Sequence, residues 1–112
     1  MQPYQELPKA PTTISEGKIL ARFIDGIGFR YQLATANFTQ NEIDFCPIEG
    51  SMNMIELNQH IYGLLCWTGK AFKLDYVPKK DLTNFDELKN EILSVCQLFS
   101  SCLLYTSPSP RD

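Results

Sequence analysis

The sequence predicts an all-α protein, three amphipathic helices of an incomplete four-helix bundle, and three observations carry that prediction. Apolar residues recur at steps of three and four in three separate segments, the period of a helix with one buried stripe. Thr13 with Glu16, Asn53 with Glu56 and Thr83 with Asp86 each stand three residues apart. At that spacing a side-chain oxygen serves the open N–H groups of a first turn while the carboxylate reaches back. Breakers such as Pro47 and Gly50 fall between the segments.

The chain divides into an arm over residues 1–11, a helical bundle over 12–101 and a tail over 102–112. Pro3, Pro8 and Pro11 lack backbone donors, so the arm is expected to be extended and to lie over the bundle. The first helix opens behind Thr13 and runs to about residue 37, with Leu20, Ile24, Ile27, Tyr31, Ala34 and Phe38 along its stripe. Gly26 and Gly28 interrupt it, each costing about 1 kcal/mol relative to alanine. A phosphate-cradling loop would need a preceding strand and a third glycine where Tyr31 stands, so close approach of a neighbouring helix is the favoured reason.

Residues 39–52 read as a connection whose Ile43 and Phe45 can close one end of a bundle. The second helix comes next, capped by Asn53 and Glu56, with Leu57, Ile61, Leu64 and Thr68 as its buried stripe up to Trp67 and Gly69 as its terminator. Residues 70–82 carry Lys70, Lys73, Lys79 and Lys80 diluted by Asp75 and Asp81, the pattern of a solvated linker. The third helix opens at Thr83 and repeats Phe85, Leu88, Ile92, Val95 and Phe99.

Composition narrows the function classes. The chain is 44% hydrophobic and 21% charged, which fits an ordinary globular domain, and its net charge of -3 with scattered Lys and Arg argues against a nucleic-acid partner. The longest apolar run, Ile61 to Trp67, is far short of a membrane span, and the proline-bearing N-terminus lacks the form of a secretory signal. A cytoplasmic protein with no membrane partner is expected. Cys46, Cys66, Cys96 and Cys102 include no Cys-x-x-Cys pair and are read as thiols, mostly buried.

The tail departs from the helical pattern. Its string from Cys102 to Asp112, with Pro108 and Pro110, resembles translated sequencing-adaptor read-through found at the ends of reading frames from metagenomic assemblies. On that reading the native chain is cut near its third helix, and a bundle without its fourth helix leaves apolar stripes facing water, so a weakly stable, molten or self-associating fragment is expected.

Three segments, Asp25-Gly26-Ile27-Gly28-Phe29-Arg30, Asp44-Phe45-Cys46-Pro47 and His60-Ile61-Tyr62-Gly63-Leu64, resemble the DinB-like bundle family over about residues 12–100. The resemblance implies an up-up-down-down-like bundle holding a divalent metal, zinc or nickel, with three histidines. His60 takes the second-helix ligand position, and the other two ligands are absent, since the sequence has one histidine. It further implies that the intact parent is a metal-dependent hydrolase or thiol transferase with a small-molecule or thiol substrate, compatible with a homodimer, while this fragment holds no cofactor and is inactive. Glu56 and Cys66 lie near His60 on the same helix, but neither is nominated as a ligand because the cap role of Glu56 is the simpler one. The rival reading is a metal-free module that takes a small ligand or a partner helix in a pocket lined by Phe23, Tyr31, Leu64 and Trp67.

Overall fold

A computed structural model describes residues 2–104, and among these there are helices and no strand. The elements are α1 (Glu16–Thr35), α2 (Gln40–Asp44), α3 (Met54–Ala71) and α4 (Phe85–Leu104). The all-α expectation holds, with three long helices packed together and one short helix in the connection.

The centre of the fold is α4. Phe85, Leu88, Ile92, Leu93, Val95, Cys96, Phe99 and Leu103 are all buried, so α4 is covered on two sides, by α1 and by α3. The stripe expected for this helix is the stripe observed. Each large aliphatic or aromatic side chain fully buried here stabilises the fold by about 1.5–3 kcal/mol. Its first turn is capped one residue later than expected: Asn84 Oδ1, not Thr83, accepts from the Glu87 N–H at 3.1 Å. Cys102, Leu103 and Leu104 belong to α4, so the helix enters the stretch expected to be tail; residues 105–112, with the two prolines of the adaptor-like string, lie outside the described residues.

Helix directions follow from a few contacts. Ser100 Oγ donates to Ala21 O and Lys89 Nζ to Thr35 O, so α1 runs antiparallel to α4. Gly69 meets Phe99, while Ile55 and Phe85 share one cleft, so α3 runs parallel to α4. The first long helix therefore opposes the two later ones, unlike the up-up-down-down-like order that the family resemblance implied. Parallel neighbours need a connection that travels back their full length. Residues 72–84 supply it as a strap bounded by Lys73 and Asp81, both at positive φ (59° and 62°). Leu74, Tyr76 and Leu82 of the strap are half-buried against the core, so this segment is packed and not the solvated linker expected.

The arm lies over α1 and α4 as expected, but residues 3–6 turn where an extended chain was expected, and its anchor is Tyr4. This residue adopts φ 66°, sparsely populated for an aromatic, and is buried with its ring against Gly28 and its Oη donating to Asp25 Oδ1 at 2.7 Å. A Cβ on Gly28 would sit 2.6 Å from that ring, so the close approach inferred for this glycine is real but comes from the arm and not from a helix. Gly26 has nothing near it, and both glycines lie inside α1, not in a loop.

Three further boundaries move. Ser15, not Thr13, caps α1 by accepting from Lys18 N at 3.2 Å, while Thr13 Oγ1 takes the Lys18 ammonium, and the helix ends at Thr35. The 39–52 connection contains α2, capped by a reciprocal Thr39–Glu42 box; Ile43 closes the bundle end as expected, but Phe45 is exposed. α3 has the expected Asn53–Glu56 capping box but continues through Gly69 to Ala71. Gly69 is no terminator: a Cβ there would lie 2.3 Å from the Phe99 ring, so its missing side chain lets α3 and α4 approach.

Candidate docking face

The buried residues of α1 and α3 are small or polar, and the larger apolar side chains that pack on the α4 core, such as Ile24, Ile55 and Leu65, are half-buried. The buried ones on α1 are Ala21, Gln32, Thr35 and Gly28, the last beneath the Tyr4 ring, and on α3 Asn58, Tyr62 and Gly69. Each polar member but one is tied down. Tyr31 Oη donates to Asn58 Oδ1 at 2.5 Å and Asn58 Nδ2 to Met54 O at 2.7 Å, which joins α1 to α3. Buried Lys89 places its ammonium on the Thr35 carbonyl, among the open carbonyls at the negative end of α1, and burial lowers its pKa while Asp86 opposes that shift. Gln32 Oε1 is buried with no partner among the described residues.

A helix turns about 100° per residue. Starting from the buried set, Ile24 and Tyr31 of α1 and Ile61 and Leu65 of α3 point toward one another, and all four pack on the core. One further step round brings Ile19, Phe23 and Ile27 of α1, and Leu57 and Leu64 of α3, onto the side facing away from α4, with Trp67 at its edge toward the strap. These six are 43–69% exposed. The stripes read from the sequence thus include side chains on an open two-helix face: Ile27, Leu57 and Leu64 were expected to be buried and are not. Their period was helical, but the largest side chains point away from the helix that covers the rest.

The four pocket residues expected from the sequence are placed accordingly. Phe23, Leu64 and Trp67 belong to the open face, whereas Tyr31 is half-buried beneath it with its hydroxyl held by Asn58. Trp67 also edges a cleft beside Gly69 and Phe99, and none of the other three lines it. His60 stands three residues after Leu57 and four before Leu64, on the same exposed face. No group of three His, Cys, Asp or Glu side chains among the described residues is arranged to hold a metal, so the residues present do not fit a three-histidine centre. Glu56 accepts from Asn53 N at 3.1 Å, its cap role.

Sequence reasoning missed a polar network on the opposite side of α3. The Lys79 N–H donates to Tyr62 Oη (2.8 Å), Tyr62 and Tyr76 Oη lie 2.5 Å apart, Tyr76 donates to Glu91 Oε2 (2.6 Å), and Lys79 Nζ pairs with Glu91 Oε1 (3.0 Å). Tyr76 can give its proton only to the carboxylate, so Tyr62 donates to Tyr76. Burial and the Glu91 hydrogen bond both push the Tyr76 pKa far up, so its hydroxyl stays protonated and acts as a structural donor. The cleft that Trp67 edges adjoins this network between α3 and the strap, has a volume of about 250 Å³, and is lined by residues including Cys66, Leu74, Tyr76 and Phe99. Burial likewise raises the Cys66 thiol, which makes it a poor nucleophile there. The alternation Leu74, Tyr76 was the available sign of an extended packed strap.

Of the cysteines expected to be mostly buried, Cys96 is buried, Cys66 and Cys102 are half-buried and Cys46 is exposed. No helix among the described residues is long and apolar enough to cross a membrane. No protein-family model, curated protein or solved structure matches this chain.

Proposed function

We propose that this chain is a helical docking module that receives an apolar helical surface on the α1/α3 face. The observation that carries this reading is the distribution of bulk on the two helices: their buried residues are small or polar, while Ile19, Phe23, Ile27, Leu57, Leu64 and Trp67 are exposed to water. Large apolar side chains left exposed along two antiparallel helices that the Tyr31–Asn58 contact joins are atypical of a free surface and typical of a binding one, and the space between two such helices can receive a third.

Trp67 is the single tryptophan of the chain and stands on this face, so its emission reports occupancy. A Leu/Lys amphipathic helical peptide is expected to shift that emission to the blue in a saturable way, and Phe23→Asp or Leu64→Asp to abolish the shift with helicity unchanged. At a dilution where the chain is monomeric, emission indifferent to the peptide contradicts the reading, as does loss of helicity in both variants.

A second reading, a DinB-like metal-dependent enzyme, rests on one observation, that His60 lies on this same face, where a covering helix can bring further ligands to it. Zinc or nickel titration of the chain supplemented with a histidine-bearing helix, with His60→Ala as control, separates the two.

A further inference from the structure

We infer that the surface covering this face is a second copy of the same chain, docked antiparallel across α1 with Phe23 at the two-fold axis. The inference rests on the docking reading above and names its partner.

The exposed stripe of α1 reads Glu16, Ile19, Phe23, Ile27, Arg30. Around Phe23 this order is symmetric in character and antisymmetric in charge. Ile19 and Ile27 lie four residues to either side, Glu16 and Arg30 seven. An antiparallel copy therefore sets Phe23 on Phe23, Ile19 on the partner's Ile27, and Glu16 on the partner's Arg30, twice over. Both charged residues are exposed, and within the described residues neither forms an ion pair. A two-fold interface requires such self-complementarity, and a partner of unrelated sequence would not.

The second helix of the face agrees. From the Tyr31–Asn58 contact, eight residues back along α1 and eight forward along antiparallel α3 put Phe23 level with Cys66, between Leu64 and Trp67. The axis thus crosses the face at its largest apolar side chains, and Glu16 and Arg30 stand seven residues to either side of it along α1. Aromatic anchors at the centre with a polar rim are the anatomy of a stable interface. The six apolar side chains, 43–69% exposed, present on the order of 700 Å² of apolar surface, close to the roughly 800 Å² that each partner contributes to a standard interface.

The test is sedimentation velocity on the whole chain, with Glu16→Arg and Arg30→Glu made separately and then mixed. Each single reversal places like charges together at both contacts and is expected to weaken the dimer by roughly tenfold or more. In the mixture one copy carries arginine at both positions and the other carries glutamate at both, so both contacts are complementary again and the dimer is expected to return. The double variant Glu16→Arg with Arg30→Glu is expected to dimerise alone, which controls for folding. A chain that stays monomeric while Trp67 still responds to the amphipathic peptide overturns the second copy and leaves the docking face standing. A dimer insensitive to both reversals and to Phe23→Asp, or one that the mixture fails to restore, overturns it too.

Discussion

Helices α1 and α3 each have two faces, and the two faces obey opposite rules. The buried side holds Ala21, Gln32, Thr35, Asn58, Tyr62 and Gly69 at its deepest positions, while the exposed side holds phenylalanine, isoleucine, leucine and tryptophan. Close packing explains part of the first. α4 brings most of the fully buried bulk to the core through Leu88, Ile92, Val95 and Phe99, so a neighbour must be small where it meets the largest ring, as Gly69 is beneath Phe99. The second face meets no such constraint among the described residues, and the proposed docking reading assigns its bulk to a surface from outside. Hydrophobic periodicity therefore marks where large apolar side chains point, which differs from where a chain finds its own neighbour.

The contrast can be tested by perturbing each side. Phe99→Ala removes the ring at the junction of α3, α4 and the strap and is expected to cost about 3–5 kcal/mol by urea denaturation; a loss below about 1 kcal/mol would place the core elsewhere. Gly69→Ala forces a methyl against the same ring and is expected to cost about 1–3 kcal/mol. Gly63→Ala, on the same helix with nothing within 4 Å of its added Cβ, is expected to stabilise by up to about 1 kcal/mol. If the two glycines respond alike, close approach is not what distinguishes them.

A pH titration of stability separates the buried side in another way. Burial pushes the Cys96 thiol up to about 12 from its ordinary value of 9.0. The folded state then keeps its proton after the unfolded state has lost it, so stability is full below about pH 9 and falls as pH rises toward 12. Cys96→Ala is expected to flatten that early part of the decline, measured by denaturation from about pH 8 upward; an unchanged slope would show that Cys96 titrates freely. In the same range exposed Cys46 is expected to react with iodoacetamide well before Cys96.

How much of this was legible in the sequence depends on which side chain carries the signal. The α4 stripe was fully legible because five bulky residues at helical spacing are all buried. The Asn53–Glu56 box was legible because capping is local. The buried sides of α1 and α3 were not, since glycine, asparagine, glutamine and threonine carry no hydrophobic signal, and the apolar period pulled the expected core toward the open face. Tyr4 was obscured by the prolines around it, and Tyr76 by the lysines around it, although both owe their burial to partners far along the chain, Asp25 and Glu91. For His60 the sequence located a helix and a face; what stands opposite it is not encoded in the helix that carries it.

The smallest expected effect bears on the central claim. Phe23→Ser with Leu64→Ser, measured by urea denaturation at a dilution where the chain is monomeric, is the most direct test that these side chains serve a partner and not this chain's own core. The account predicts a loss of no more than about 1 kcal/mol for the pair, the sum expected of two surface changes, together with loss of association. A loss of about 4 kcal/mol or more, the cost of emptying two buried positions, would contradict it.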